Sequence, residues 1–209
     1  MKKITAAVLL TAALSTPAFA EGFFIGADIG TAAGYPDRTG ETVNGLIGAG
    51  ATYASATQKT SSIAFDLHGG QWITERFGWE VGYDALGSVD GSWTSIGSTT
   101  GSYKYSASAF HVAALGGIPL GRGKLYGKAG LFSASTKEDA SNTVGFSSST
   151  TQSSTGLMIG GGYEFSFSDK IAGHAGMNLF NGMKFNDFTN NTTSNKTLVQ
   201  VLVGVDYKF

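Results

Sequence analysis

The sequence predicts an all-β fold, an eight-stranded antiparallel up-and-down transmembrane β-barrel. Three observations predict it: an export signal at the amino terminus, eight segments with an apolar residue at every second position, and connectors that alternate between long and short. Together they are typical of a chain that crosses a membrane as a closed sheet, in which every backbone hydrogen-bonding group finds a partner.

The first 20 residues predict a secretory signal peptide that is cleaved from the mature protein. Lys2 and Lys3 form a basic start, an apolar run covers residues 6–14, and Ala18-Phe19-Ala20 supplies small residues for a cleavage site. The apolar run is too short to span a bilayer as a helix. We therefore expect residues 21–209 to form one domain, a barrel with four long external loops.

The charge balance argues against a nucleic-acid partner. The chain has 14 Lys and Arg against 15 Asp and Glu, and 12 basic residues remain once the two lysines of the signal are removed, a net charge of about −3. A nucleic-acid backbone requires a basic surface. The chain has no cysteine, which excludes disulfides and thiolate metal sites, so the stability of this exported protein must come from its sheet.

Eight segments show the two-residue period of strands with one apolar face. In the last of them, Val201, Val203 and Val205 share one face, whereas Gly204 and Asp206 share the other. Many segments are longer than a usual soluble strand and approach the length that crosses a membrane at a tilt. The predicted strands are residues 23–34, 61–72, 77–89, 103–117, 124–136, 153–167, 171–184 and 197–209.

The two faces of these strands indicate which one meets lipid. A soluble barrel would have apolar residues inside and polar residues outside. Here one face of each strand carries large apolar side chains, aromatic or branched, and the opposite face carries glycines and acidic residues. We expect the apolar face to contact lipid and the other face to line a lumen that is just wide enough for its own side chains.

The connectors alternate as they do in outer-membrane barrels, which have tight periplasmic turns and longer external loops. The predicted short turns are residues 73–76, 119–123 and 168–170. The predicted external loops, rich in Ser, Thr, Asn and Gly, are residues 35–60, 90–102, 137–152 and 185–196.

Aromatic residues near the strand ends predict two girdles at the two membrane interfaces, with ordinary cross-strand packing as the alternative. The turn-side girdle would consist of Trp72, Phe77, Trp79, Phe165, Phe167, Tyr207 and Phe209. The loop-side girdle would consist of Tyr35, Trp93, Tyr103, Tyr105 and Phe180.

Several stretches resemble the OmpA-like transmembrane domain, in the same order along nearly the whole mature chain. Residues 23–30, Phe-Phe-Ile-Gly-Ala-Asp-Ile-Gly, are similar to the first strand of that family, and residues 77–87 are similar to its third. The resemblance implies an eight-stranded barrel in the bacterial outer membrane, without the periplasmic peptidoglycan-binding domain of many members. It also implies that Tyr207 and Phe209 form the signal read by the outer-membrane assembly machinery.

The resemblance further implies ion pairs inside the barrel, because charges in a narrow lumen are costly without partners. Its inward acids match Glu80 and Glu164, Lys128 matches an interior basic position, His174 replaces an expected arginine, and Leu115 lies near an expected lysine. The predicted lumen network consists of Asp28, Asp66, Glu80, Lys128, Glu164 and His174, on a face that also carries His68, Asp84 and His111. Acids outnumber firm cations, so we expect either that some acids stay protonated or that ordered water fills the lumen.

The sequence predicts no catalytic, cofactor-binding or metal site. The three histidines lie on three different strands, and zinc would need them to converge at one height with a further ligand. No nucleophile motif is present. The charged loop residues Asp37, Asp90, Lys137 and Asp187 are too scattered to form a catalytic cluster.

We therefore expect an integral outer-membrane protein with an envelope-structural and surface-interaction role of the adhesion type, and not an enzyme. A narrow channel or carrier for small or apolar solutes is the first alternative, because inward glycines such as Gly26 and Gly82 could leave pockets of water. A membrane-embedded enzyme is the second. The expected partners are outer-membrane lipid and lipopolysaccharide, the assembly machinery, and a host or surface ligand bound through the loops.

Overall fold

The computed structural model describes residues 22–48, 50–51, 53–95, 99–145, 147–187 and 192–209, so the predicted signal peptide lies outside the described residues. Nearly all of the described chain is strand. The elements are β1 (Phe23–Ala33), α1 (Thr39–Gly48), β2 (Ala54–Gln58), β3 (Ser61–Trp72), β4 (Phe77–Ser95), β5 (Thr100–Leu120), β6 (Gly123–Asn142), β7 (Ser147–Ser166), β8 (Ile171–Asp187) and β9 (Thr192–Lys208). Among the described residues, no helix is both long and apolar enough to cross a membrane.

Eight strands form a closed antiparallel ring. β1 pairs with β3 on one side and with β9 on the other, and the pairing of β4 with β5 completes the circuit. The short β2 pairs with the end of β4, with Ala54 opposite Ser95 and Gln58 opposite Gly91, and so continues the ladder beyond β3. The predicted all-β, eight-stranded up-and-down barrel is confirmed.

The apolar faces point outward over the part of the barrel nearest the turns. On β9, Val201, Val203 and Val205 are about half exposed, whereas Leu202, between the first two, and Asp206, after the third, are buried in the lumen. This confirms the predicted orientation for the apolar belt. The belt includes Ile25, Ile29, Ile63, Phe65, Leu67, Val81, Phe110, Val112, Leu131, Leu157, Ile159, Val201, Val203 and Val205, all exposed.

The outer surface changes chemistry abruptly along each strand. On β5 the exposed Phe110 is followed toward the loops by Ser108 and Ser106, and on β6 the exposed Leu131 is followed by Ser133 and Ser135. A membrane-spanning strand needs only about 9–11 residues, whereas β5 has 21 residues and β6 has 20. The strands therefore continue beyond the apolar belt as a hydroxyl-rich extension of the barrel.

This extension occupies most of three segments that the sequence predicts as loops. β4, β5, β6 and β7 continue into the predicted loops 90–102 and 137–152, and β8 and β9 continue into the predicted loop 185–196. The first external segment, 35–60, contains α1 and β2 instead of irregular chain. Serine and threonine composition suggested loops, but in a closed ring each strand has a partner on both sides, which keeps the ladder going. The short turns lie where they are predicted, at residues 73–76, 121–122 and 167–170.

Two β-bulges interrupt the alternation at opposite sides of the ring. One lies in β4 between Ala85 and Gly87, the other in β8 between Asn181 and Met183, and three strands separate β4 from β8 in either direction. Gly87 and Gly182 have φ values of 79° and 101°, in the left-handed region that favours glycine. Each bulge adds one residue, so inward positions are even-numbered before it and odd-numbered after it.

The predicted loop-side girdle is wrong. Tyr35, Tyr103, Tyr105 and Phe180 are buried inside the barrel, and Trp93 packs against the same interior cluster. These residues lie on the inward faces of their strands or, for Tyr35, in the segment after β1, and their rings fill the lumen. On the turn side, Phe77, Phe165, Phe167, Tyr207 and Phe209 are exposed as expected for a girdle, but the ring of Trp72 lies inward, with Lys124 Nζ 3.5 Å from its centre.

Candidate functional site

The lumen is the candidate site, and its half nearest the short turns, the turn-side half, contains charged side chains. Lys128 donates from Nζ to Oε1 of Glu80 at 2.7 Å. The same Glu80 oxygen lies 3.0 Å from Nε2 of His111, whose Nδ1 lies 2.7 Å from Oδ2 of Asp84. These four buried side chains from β4, β5 and β6 therefore form a continuous chain of charged hydrogen bonds across one side of the lumen.

A second charged group lies on the opposite side, on β8, β9, β1 and β3. His68 Nε2 lies 3.0 Å from Asp206 Oδ1, and its Nδ1 lies 3.4 Å from Asp66 Oδ1. His174 Nε2 lies 2.8 Å from Asp28 Oδ1, and its Nδ1 lies 3.3 Å from Asp206 Oδ2. Asp206 thus contacts both imidazoles, and each imidazole faces two carboxylates.

The opening of the lumen on the turn side, the turn-side mouth, has a separate ion pair. Lys208 Nζ donates to Glu164 Oε1 at 2.5 Å. Glu164 is directly opposite His174 in the β7–β8 ladder, yet the His174 ring contacts Asp28 and Asp206 instead. The histidine at the position of the expected arginine therefore belongs to the second charged group, and β9 supplies the cation for Glu164.

The structure brings the six predicted network residues into three separate groups. Glu80 and Lys128 are in direct contact, Asp28 contacts His174, Asp66 reaches that second group through His68, and Glu164 stands apart at the mouth. The prediction omits Asp206 and Lys208, although the alternation of residues 197–209 places both on the inward face with Gly204. That alternation was the available signal.

The three histidines, of which the predicted network includes only His174, supply counter-groups for the buried acids. Asp28, Asp66, Asp84 and Asp206 each lie within 3.4 Å of an imidazole nitrogen, and Glu80 contacts both Lys128 and His111. A buried carboxylate is costly unless it is paired and hydrogen-bonded. The turn-side half therefore holds a paired set of charges that fixes side chains from seven strands.

The half of the lumen nearest the loops, the loop-side half, is mainly apolar, although the polar side chains of Thr136 and Glu138 are also buried there. The rings of Phe132 and Phe180 are 5.5 Å apart, and the ring of Phe185 lies 6.0 Å from that of Tyr105. Between the two halves, Asn178 Nδ2 donates to Gln200 Oε1 at 3.1 Å. The apolar filling consists of Leu86, Val89, Tyr103, Tyr105, Ala107, Phe132, Ala134, Met158, Phe180, Met183, Phe185 and Leu198.

Residues 34–38, the cap segment, lie over this apolar filling. The Tyr35 hydroxyl donates to Leu86 O at 2.9 Å, and its ring lies 5.9 Å from that of Phe185. Gln58 of β2 holds the segment from the other side, donating from Nε2 to Pro36 O at 2.7 Å and accepting from the Arg38 amide at 3.1 Å. The segment therefore closes the loop-side end of the lumen.

Two charged residues of the cap segment have shifted pKa values. Burial opposes the charge of Arg38, but its interactions with Glu41, 2.5 Å away, and with Tyr105 outweigh that cost, so the pKa of the guanidinium lies above its usual value. The exposed Asp37 accepts from the amide and hydroxyl of Thr39, and these hydrogen bonds lower the pKa of its carboxyl group. Both charges are thus held by local partners.

Comparison with protein families agrees with this geometry. A model described as the outer membrane protein beta-barrel domain matches residues 6–209. The chain belongs to this family. It is therefore an OmpA-like barrel protein of the bacterial outer membrane, as the sequence predicts. No curated protein sequence matches the chain.

Solved structures share the fold of this outer-membrane barrel at low sequence identity. Neisserial surface protein A (NspA) is 18% identical over 90% of this chain and 98% of its own, with a TM-score of 0.55. The N-terminal β-barrel domain of Pseudomonas aeruginosa OprF is 12% identical over 90% of this chain and 98% of its own, with a TM-score of 0.50. Ail, the attachment invasion locus protein of Yersinia pestis, in complex with the heparin analogue sucrose octasulfate, is 14% identical over 90% and 99%, with a TM-score of 0.48.

Proposed function

We propose that this outer-membrane barrel is a closed, envelope-structural protein that makes surface contacts through its loop-side extension. The filling of the lumen carries this proposal. A solute that crosses the lumen from the turn side would first have to displace the hydrogen-bonded side chains that run from Lys128 to Asp84. It would then have to pass the rings of Tyr105 and Phe185 and the cap segment. The interior of an eight-stranded barrel is just wide enough for its own side chains to fill it.

The inward glycines support a closed lumen and disfavour the alternative of a channel with water pockets. A Cβ atom on Gly82 would collide with the imidazole of His111, and one on Gly160 would lie 2.5 Å from Oδ1 of Asn178. Larger side chains of neighbouring strands therefore use the space beside these glycines. This arrangement favours a structural barrel over a narrow channel or carrier.

Single-channel recording in planar bilayers tests the closed state. We expect no stepwise conductance from the refolded protein, with a large porin as the positive control and heat-modifiable gel migration to verify folding. A Tyr35→Ala/Arg38→Ala variant is expected to remain closed, because the apolar filling and the charged groups persist beneath the cap segment. Stepwise, salt-dependent conductance from the unaltered barrel would contradict the proposal.

The surface-contact role is supported by the chemistry of the outer wall just beyond the apolar belt. A cleft of about 360 Å³ lies on the outside of β4, β5 and β6, with Lys104 and Lys137 among its lining residues. Ser106, Ser108 and Ser135 add hydroxyl groups, and Tyr83 marks its border with the belt. Lysines and hydroxyls directly above an apolar belt suit the phosphates and sugars of lipopolysaccharide, which we propose as the partner here.

Vesicles with and without lipopolysaccharide test this contact. We expect lipopolysaccharide to raise the temperature at which the barrel loses its compact gel mobility, and Lys104→Ser/Lys137→Ser to abolish most of that rise. The matched control, Arg122→Ser/Lys170→Ser, removes two positive charges from the turn side and should keep the rise. An equal rise in both double variants would rule out the cleft as the contact.

We propose no enzymatic role. Asp37 and Asp90, two of the charged loop residues, have separate partners: Thr39 for Asp37, and Lys59, at 3.4 Å, for Asp90.

We propose that Tyr207 and Phe209 carry the assembly signal. The rings of Tyr207 and Phe209 are exposed on the turn side, 5.2 Å apart, where an assembly factor could contact them. Phe209→Ser should lower the amount of barrel in outer-membrane fractions, and unchanged amounts would refute this signal.

A further inference from the structure

Two of the three histidines converge in the lumen from β3 and β8, which are separated in the ring by β1 and β9. The ring centres of His68 on β3 and His174 on β8 are 5.5 Å apart. One potential ligand atom from each of Asp28, His68 and His174 lies within 4.8 Å of the others. Asp206 contacts both imidazoles, at 3.0 and 3.3 Å. The two imidazoles and the Asp28 carboxylate therefore converge on one point, and Asp206 lies beside both rings.

Two glycines create the space for this convergence. In the ladder, Gly26 lies between His68 and Asp206, which belong to the strands on its two sides. Gly204 lies in the same way between Asp28 and His174. A Cβ atom on Gly26 would collide with the side chains of His68 and Asp206, and one on Gly204 would collide with Asp28. Each imidazole–carboxylate pair thus forms across a strand, over a position that only glycine can occupy.

We propose that this cluster binds one divalent transition-metal ion of the zinc class. His68, His174 and Asp28 would be the ligands, with Asp206 either as the fourth ligand or as a hydrogen-bond acceptor. Zinc ligands lie about 2.0–2.2 Å from the ion, so two ligands in a tetrahedral site are about 3.3–3.6 Å apart. His174 Nε2 and Asp28 Oδ1 are 2.8 Å apart, just below that range, and the ligand atoms of all three residues lie within 4.8 Å of one another, so side-chain rotations would admit the ion.

The outer partners of the imidazoles fit a metal site. His68 directs Nε2 toward the cluster while Nδ1 lies 3.4 Å from Asp66, and His174 directs Nε2 toward Asp28 while Nδ1 lies 3.3 Å from Asp206. A metal-bound histidine usually donates its other ring N–H to a carboxylate, which fixes the ring. Both histidines have a carboxylate within 3.4 Å of that nitrogen, close enough for such a hydrogen bond to form when the ring turns toward an ion.

The donor set also limits the choice of ion. Imidazole nitrogen with carboxylate oxygen suits Zn²⁺, Cu²⁺, Ni²⁺ and Co²⁺, whereas Mg²⁺ and Ca²⁺ prefer oxygen ligands alone. Only 5% of the His174 side chain is exposed, so an ion would have to enter from the turn-side mouth, where the Lys208 side chain is 26% exposed. A bound ion would link β8, β9, β1 and β3, and so fasten the seam where the first and last strands meet.

Metal titration of tag-free, chelator-treated, refolded barrel tests this proposal. We expect the folded protein to bind one equivalent of Co²⁺ with the visible absorption of a tetrahedral imidazole site, and Zn²⁺ to displace it. His68→Gln and His174→Gln should each weaken the affinity by at least about 100-fold. His111→Gln is the matched control, because His111 is equally buried in the same lumen but contacts Glu80 and Asp84; its affinity should stay within about 3-fold of the original.

Stability and magnetic resonance provide readouts that do not depend on refolding of every variant. Zn²⁺ should raise the unfolding temperature of the unaltered barrel and of His111→Gln, because an ion that binds only the folded state stabilises it. Zn²⁺ should also shift the ring-nitrogen resonances of two of the three histidines in the unaltered protein. Absence of one-to-one binding, equal loss in His111→Gln, or no resonance shift would show that the cluster is only a set of ion pairs and overturn the proposal.

Discussion

The two halves of the lumen are filled by opposite means within one continuous wall of strands. In the turn-side half, contacts are directional: Glu80, for example, meets both Lys128 and His111 within 3.0 Å. In the loop-side half, rings such as Phe132 and Phe180 pack edge to face. The same strands supply both halves, so the contrast does not arise from the sheet. It arises from which side chains occupy the inward positions.

The size of the inward residues explains the contrast. The turn-side half has glycines beside its charged groups, such as Gly26, Gly82 and Gly204, and long polar side chains lean into the space that they leave. The loop-side half has large inward residues such as Tyr105 and Phe185, which fill the cross-section by themselves. The lumen of a narrow barrel can thus be filled in two ways. Long side chains can occupy the space beside inward glycines, or large inward side chains can fill the cross-section by themselves.

The largest effect should come from breaking a buried ion pair in the turn-side half. Lys128→Met leaves Glu80 with His111 as its remaining partner, and loss of one partner of a buried pair costs about 3–5 kcal/mol. Denaturant unfolding in lipid vesicles, followed by heat-modifiable gel migration, measures the change. Lys170→Met, on an exposed turn, should change the free energy of unfolding by less than about 0.5 kcal/mol.

A double variant sharpens the same point. Glu80→Gln/Lys128→Met removes both charges, so it should recover much of the stability that Lys128→Met alone loses. If the single and double variants were equally unstable, the charge left on Glu80 would not be the source of the loss, and the turn-side half would depend on packing as the loop-side half does.

A slightly smaller effect is expected in the loop-side half. Phe180→Ala removes a fully buried ring that contacts Phe132, and the cavity should cost about 3 kcal/mol. Because no charge is involved, salt should change this loss little. Phe110→Ala, at an exposed position on the lipid face, is the matched control and should cost less, since lipid can fill the space. Equal losses would mean that the interior rings carry no special weight.

The smallest effect should come from the cap segment. Tyr35→Phe keeps the ring against Phe185 but removes the hydroxyl that donates to Leu86 O, which should cost about 1 kcal/mol. Tyr163→Phe removes an exposed hydroxyl that donates to Leu120 O and should cost no more than a few tenths. A loss above about 3 kcal/mol for Tyr35→Phe would indicate that the hydroxyl organises the whole loop-side half.

The sequence predicts the ring, the short turns and the outward belt well, because each depends on alternation within one strand. The same alternation indicates which residues face the turn-side half of the lumen. It also places Asp206 and Lys208 there, although the predicted network leaves both out. It does not predict partners. Glu164 pairs with Lys208 and not with His174, because side-chain reach across strands depends on twist and on neighbouring glycines.

The loop-side half could not be predicted from alternation. The bulges in β4 and β8 shift the pattern by one residue, so Val89, Met183 and Phe185 turn inward although a constant period would direct them outward. Serine- and threonine-rich stretches also suggested loops where the ladder continues. Both errors have one origin: pairing with the neighbouring strand decides where a strand ends and which way it faces, and one strand alone does not contain that information.

The paired bulges also have a practical consequence for engineering. Because Gly87 and Gly182 reset the phase of their strands at matching positions across the ring, the part of the barrel beyond them can have its own facing pattern. A chimaera that exchanges external regions between barrels of this family should therefore be joined on the turn side of both glycines. If the junction lay on the loop side of these glycines, the exchanged segment would lack the one-residue shift. Its inward and outward positions would be reversed, and its aromatic rings would point into solvent.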